Sequence, residues 1–358
     1  MREFTLIPVT TNDKKAKKNS WTLSEFCSSE HSGTHIDAPL HYNREGWSLD
    51  AIPTHRLWRR PGIMVDVSEE VRTSMNPNFE IQPKHLTEFE IKFGSIPDGA
   101  VVLIRTGQGS KVRNITAYSG LDRNHKMNHP GISKNAAEWI TTHTNNNNPP
   151  THNHTHEGIV GVGIDTLSLD KGSTLHYPAH AVLFNRNIYG LENLANLEKL
   201  PPTGFYITIL PLNIHQGSGA PARVVAETGD TIALHSAAVP TCTLTHTVEL
   251  GEFCSSEHSG THLDAPSHYA YNKWTVEKIP LDRLWRVPGH VNHILTSADL
   301  ESWEEEHGVI PDGAVVFVRT GWGDKVGNIQ DYSGVDESGK NNFPDQVNRI
   351  STPSEPSL

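Results

Sequence analysis

The stretch His31 to His41 reads HSGTHIDAPLH, and it returns at His258 to His268 as HSGTHLDAPSH. Side chains of a strand alternate faces, so His35, Asp37 and His41 can share one face while Ile36 and Leu40 take the other. On an extended strand His35 and Asp37 stand roughly 6.6 Å apart at Cα, close enough for both side chains to meet one cation. His31 lies too far along such a strand to join them, and Gly33 supplies the bend that brings it back. Pro39 suits a strand end or edge. Imidazole nitrogen with carboxylate oxygen is a ligand set for zinc or manganese. The alternative is plain hydrogen bonding to backbone near a turn. It would leave ionisable groups packed among Gly, Ala and Pro without the strong partner that burial demands.

The chain has 358 residues, 35% hydrophobic and 20% charged, which allows one large domain or two smaller ones. A net charge of −11 argues against a nucleic-acid or anionic-membrane partner. No run of about 18 apolar residues occurs, so no membrane span is expected. The start, MREFTLIPVTTNDKKAKK, lacks the apolar stretch of a secretory signal, and a cytoplasmic location is the expectation. Cys27, Cys242 and Cys254 fit no disulfide framework. Cys27 and Cys254 hold equivalent positions in the two repeats and read as small buried side chains.

Glu25 to His35 (EFCSSEHSGTH) recurs letter for letter at Glu252 to His262. The match resumes at IPDGAVV, Ile96 against Ile310, and ends just after Pro130/Pro344. A repeat this long is no solenoid; it reads as a domain followed by part of another. The expected organisation is a near-complete domain over 1–227, a linker over 228–251, a partial second domain over 252–344 and a disordered tail over 345–358. Ser133 to Thr142 reads as a helix with Ser133 at its N-cap. The His- and Asn-rich tract 142–158 reads as a loop insertion. Strands are expected at Ile63–Val67, Ala100–Ile104, Ile159–Ile164 and Tyr206–Leu210, giving a mixed α/β fold with a substantial sheet. Gly217 to Glu227 reads as a tight loop before a short strand.

HSGTHIDAPLH resembles the H-x-G-T-H-x-D-x-P-x-H signature of the cyclase-like metal-dependent hydrolases, which include kynurenine formamidase and isatin hydrolase. Arg105 to Gly107, His129 to Ser133 (HPGIS), Gly161 to Asp170 (GVGIDTLSLD) and His180 to Leu197 resemble further blocks in the same order. The resemblance covers about Ser24 to Glu227 and again Glu252 to Pro344, as a tandem duplication with a truncated second copy would. It implies a β-barrel-like sheet flanked by helices, in a homo-oligomer. It also implies metal on His31, His35 and Asp37, a catalytic base at His41, and a second pair of ligands at His180 and Glu192. One or two ions, zinc or manganese, are implied. The implied reaction is hydrolysis of a small aryl amide by metal-activated water, with N-formylkynurenine going to kynurenine and formate. The alternatives are a cyclic amide, imide or ester hydrolase with the same site, and an inactive metal-binding relative.

Trp47, Trp58, Phe26 and Tyr42 lie near the motif and can form an aromatic wall, although Trp58, inside a recurring Arg-Leu-Trp unit, reads as core packing. Asp165 and Ser168 stand in a matching block, with a structural role equally open. The opening strand that the resemblance implies is missing ahead of Trp21, where polar Asn12 to Asn19 stands instead. The second copy keeps His258, His262, Asp264 and His268 but has no counterpart of His180 or Glu192, so it holds half a site. It is expected to be inactive alone, and to dock on the first copy or on another chain if at all.

Overall fold

The computed structural model describes residues 5–8, 24–143, 157–228, 231–234, 252–258, 261–268, 273–279, 289–291, 297–311 and 314–317. The chain divides into two compact units, residues 1–10 with 23–260, and residues 11–22 with 261–358.

The strands of the first unit are β1 (Thr5–Pro8), β2 (Ser24–Ser29), β3 (His35–Asp37), β4 (Arg60–Asp66), β5 (Glu80–Ile81), β6 (Val101–Arg105), β7 (Gly131–Ile132), β8 (Gly161–Ile164), β9 (Tyr189–Glu192), β10 (Phe205–Pro211), β11 (Gly219–Thr228), β12 (Thr231–Leu234) and β13 (Glu252–Ser256). Its helices are α1 (Ser68–Ser74), α2 (Pro83–Phe93), α3 (Ile115–Ser119), α4 (Lys134–Thr142) and α5 (Pro178–Phe184). The main sheet runs β10-β4-β6-β8-β9-β3-β11-β12, and β10 also pairs with β11, so seven strands close into a barrel. The run β4, β6, β8, β9 is parallel; β3, β11 and β10 complete the circle antiparallel.

Both faces of the strands are apolar, as a sheet covered on both sides requires. Met64, Val101, Leu103, Leu191, Ile207 and Val224 fill one core, joined by Ile36 and Ala220. Their alternates Ile63, Val65, Val102, Ile104, Val162 and Ile164 face a second core that α2, α4 and α5 cover with Leu86, Phe89, Ala136, Ile140, Leu183 and Phe184. Ser133 caps α4 as expected, its hydroxyl accepting from the Ala136 amide at 3.1 Å, a contact worth about 1 kcal/mol.

Four features differ from the sequence reading. Gly217 to Glu227 is no tight loop before a short strand: from Gly219 onward it forms all but the last residue of the ten-residue β11. Ala220, Ala222, Val224 and Ala226 alternate into the core, and that burial outweighs the Gly and Pro signals. Second, an opening strand does exist: β1 pairs antiparallel with β2, Thr5 opposite Cys27. Third, Cys27 and Cys254 are disulfide-bonded rather than separate small core residues. Antiparallel pairing of β2 with β13 puts them at one register position, 4.0 Å apart at Cα. Fourth, Trp58 is half exposed rather than packed in the core.

Within the stretch read as a linker, residues 231–234 pair with β11. Most of the His- and Asn-rich tract and the tail 345–358 lie outside the described residues. At the tract's flanks, His143 meets Glu90 at 3.1 Å and Glu157 meets Arg60 at 3.0 Å. In the second unit, β14 (Gly289–Val291) pairs in parallel with β15 (Val315–Phe317), and α6 spans Ser297–His307. Its Gly289–Val315 register repeats that of Gly62 with Val101 in the first unit. Among the described residues no helix is long and apolar enough to cross a membrane.

Candidate metal centre

Strand β3 sends Ile36 into the barrel and His35 and Asp37 to its outer face, as the period of 2 requires. On one side β9 puts Glu192 opposite His35 and Gly190 opposite Asp37. On the other side β11 puts Gly219 opposite Asp37. Asp37 therefore stands between two glycines. A Cβ at Gly190 would come within 2.9 Å of Leu169 Cδ1, and one at Gly219 within 2.6 Å of the Ile36 carbonyl and 2.7 Å of the His31 ring. The space around the carboxylate exists because both neighbours lack side chains.

Helix α5 lies over this face and delivers His180, whose Nε2 is 3.3 Å from Asp37 Oδ2 and 3.1 Å from Glu192 Oε1. Gly33, at φ 62°, turns the chain so that His31 comes back, with Nδ1 2.6 Å from Asp37 Oδ1. His41 does not ride on the strand. The chain leaves β3 at Ala38 and enters a 3-10 turn at Pro39–His41, which stacks the His41 ring 4.0 Å from that of His31. The six residues singled out in the first copy thus meet at one place. In the second unit, His262 and Asp264 are 3.3 Å apart but exposed, and His268 closes a 3-10 turn. His258, half-buried, follows β13 in the first unit.

Several partners were not legible beforehand. Nδ1–H of His35 donates to the Gly33 carbonyl at 2.9 Å, which leaves Nε2 facing Asp37 and Glu192. Asp170 accepts from the amides of Ala179 and His180 and from Nδ1 of His180. Glu30 accepts from the Ser218 hydroxyl, which lies 2.9 Å from Nε2 of His31. Tyr177, held at φ 44°, places its ring 5.4 Å from that of Tyr42, and both flank His180. Of the aromatic residues expected at the site, Tyr42 contacts it through His41 and His180, while Trp47 lies under Arg56 against the barrel core. Asp165 is a structural anchor whose carboxylate accepts from the amides of Thr106, Gly107 and Gly109. A cavity of about 790 Å³ opens beyond the carboxyl ends of β4, β6 and β8, beside Arg105 and Asp165. None of the six clustered residues lines it, so the convergence of ligand atoms, not the volume of a hollow, locates the chemistry.

Burial pushes the Asp37 carboxyl up, but His35, His31 and His180 outweigh it and hold it well below the carboxylate range. Glu192 is lowered too, against burial and the charge of Asp37, by His180 and His35. Burial lowers His35, yet Asp37 and Glu192 raise it to about 10. Two buried carboxylates therefore attract compensating positive charge. His41 is the exception: burial first, then the neighbouring His31, push it down to about 3 and keep it neutral.

These groups fit a divalent cation. His35, Asp37 and Glu192 offer atoms within 4.8 Å of one another, and so do His31, Asp37 and His41. Nε2 of His35 and Oδ2 of Asp37 are buried with no partner in hydrogen-bonding geometry; they make ion-pair approaches, of 3.1 Å to Asp37 Oδ1 and 3.3 Å from His180. An ion between them would satisfy both, with neutral imidazole and carboxylate as the donor set of zinc or manganese.

A closed barrel carrying this cluster agrees with the sequence comparison. The profile of the cyclase family, described as putative cyclase, matches residues 4–147 and 228–345, and the chain belongs to that family. The isatin hydrolase of Roseibium aggregatum is 30% identical over 206 residues, covering 55% of this chain and 71% of the relative. The kynurenine formamidase of Salinibacter ruber is 27% identical over 218 residues, covering 60% and 84%. Isatin hydrolase A of Labrenzia aggregata, solved with benzyl benzoate, superposes with a TM-score of 0.54 at 30% identity, covering 63% of this chain and 84% of that one. These relatives are hydrolases of small molecules, which supports hydrolase chemistry here.

Proposed function

We propose that the chain is a metal-dependent hydrolase that cleaves the C–N bond of a small aryl amide, of which N-formylkynurenine is the open-chain example. The observation that carries this reading is the meeting of His35, Asp37, His180 and Glu192 at one buried point with His31 and His41 beside it. His31, His35, Asp37, His180 and Glu192 would hold one or two ions of zinc or manganese. Such an ion, when bound, makes a water nucleophilic near neutral pH and polarises a carbonyl. His41 is the base. It stacks on the His31 ring beside the ligand cluster, and its ring centre lies 6.1 Å from that of His180. It takes a proton from the attacking water and returns it to the leaving nitrogen, help typically worth about 10²- to 10⁴-fold. The half-buried rings of Tyr42 and Tyr177 offer faces to an aromatic substrate.

A second reading has a specific observation in its favour. The isatin hydrolases match at 30% identity in both sequence and structure, which favours a lactam ring as the bond opened. The test is to load the protein with zinc or manganese, then follow absorbance with N-formylkynurenine and with isatin. A chelator should abolish whichever activity appears, and the same metal should restore it. Bound metal with no turnover of any aryl amide or lactam would leave only a metal-binding relative.

A further inference from the structure

The strand that lies against β2 has β2's own sequence. Glu25 to Ser29 and Glu252 to Ser256 are both EFCSS. They pair antiparallel with Cys27 opposite Cys254, Glu25 opposite Ser256 and Ser29 opposite Glu252. Exchanging the two strands reproduces every pair, so the ladder has a local two-fold centre at the cysteines. This is the geometry of an isologous contact, in which one patch meets a copy of itself. The register also suits self-pairing chemically. It sets each Glu opposite a Ser, so like charges never face each other directly. β1 fills the other edge of β2, leaving this edge for one occupant.

We propose that β2 is a self-pairing edge. Its occupant is a second copy of its own sequence, supplied within the chain by β13 and, when β13 is displaced, by β2 of another copy of the chain. An exposed strand edge is a ready template for such pairing. The contact also supports the site: β2 runs directly into Glu30 and His31, the residues that meet Ser218 and Asp37. The pairing does not depend on which substrate the site takes.

The test uses the full chain. In the wild type, oxidised glutathione accepts the two electrons and two protons released when Cys27 and Cys254 join. Peptide mapping without reductant should then find that link. Cys27 joined to Cys242, or left free, would overturn the pairing. The second arm is Cys242→Ser with Phe253→Pro, Cys254→Ser and Ser255→Pro, which breaks β13 and leaves Cys27 as the one thiol. With its fold checked by circular dichroism, this variant should become a dimer by light scattering. Under oxidised glutathione it should show a Cys27–Cys27 link between two chains. A folded monomer whose Cys27 carries only glutathione would overturn the proposal. Should that variant fail to fold, a milder one with Cys242→Ser, Phe253→Gly and Cys254→Ser, which weakens β13, is offered the peptide ELGEFCSSEH as its mixed disulfide with glutathione, so that Cys27 attacks the peptide sulfur and glutathione leaves. Mixed-disulfide capture at Cys27 at least ten-fold over a scrambled peptide is expected, and equal capture overturns self-pairing.

Discussion

Nδ1 of His180 lies 2.7 Å from Oδ2 of Asp170, while Nε2 of the same ring faces Asp37 and Glu192. The acid fixes which nitrogen carries the proton and so which is free to ligate. It also receives the amides of Ala179 and His180, so it seats the first turn of α5. Asp170→Asn should lower affinity for zinc or manganese by about 10- to 100-fold, read by titration calorimetry. Asp170→Ala should add a loss of about 1 kcal/mol in thermal stability from the uncapped turn. Unchanged affinity in the Asn variant would show that the orientation of His180 is set elsewhere.

His41 and Asp37 should part company. His41→Ala is expected to keep its metal by elemental analysis while turnover falls about 10²- to 10⁴-fold. Asp37→Ala should lose metal and turnover together, because Asp37 belongs to both candidate ligand groups. Release of the metal by His41→Ala would move His41 from base to ligand.

The glycines beside Asp37 predict a graded steric series. Gly219→Ala meets the Ile36 backbone carbonyl and the His31 ring, neither of which yields easily. It should cost about 1–3 kcal/mol and weaken metal binding. Gly190→Ala meets the flexible end of Leu169 and should cost less. Melting temperatures and metal titrations of both variants check the order.

Glu157 gives a pH signature away from the site. Burial pushes its carboxyl up, but His55, Arg60 and Arg56 outweigh this and lower it. A carboxyl lowered by folding stabilises above its unfolded value, about 4.3, and loses that contribution as pH falls through its folded value. Wild type should exceed Glu157→Gln by about 1 kcal/mol at pH 7, a modest figure because the pair is partly solvated. The difference should vanish as pH drops below the usual Glu range. Urea unfolding at pH 7 and in acid reads it, and a gap independent of pH would mean that packing, not charge, is responsible.

How far the chain could be read in advance depended on distance along it. His35 and Asp37 share a face because a strand alternates, and Gly33 bends because it alone takes φ 62° at no cost. Both follow from neighbours in sequence. The apolar runs of β4, β6, β8 and β10 and the Ser133 cap were equally local. The link from His31 to His180 and Glu192 was visible only through likeness to a family, since no local rule brings a helix over one particular strand.

What the sequence by itself determined is a ligand-bearing stretch, its repeat, and the strands able to form a barrel, because residue type and period act within a few positions. Only the tertiary structure decided that Gly190 and Gly219 flank Asp37, that Asp170 turns His180, and that Ser218 holds His31. It also decided that His41 arrives by a 3-10 turn and that Cys27 meets Cys254. Each of these depends on register between strands or on a helix packed across a sheet. Such contacts are selected by burial of the whole core, and no single segment encodes them.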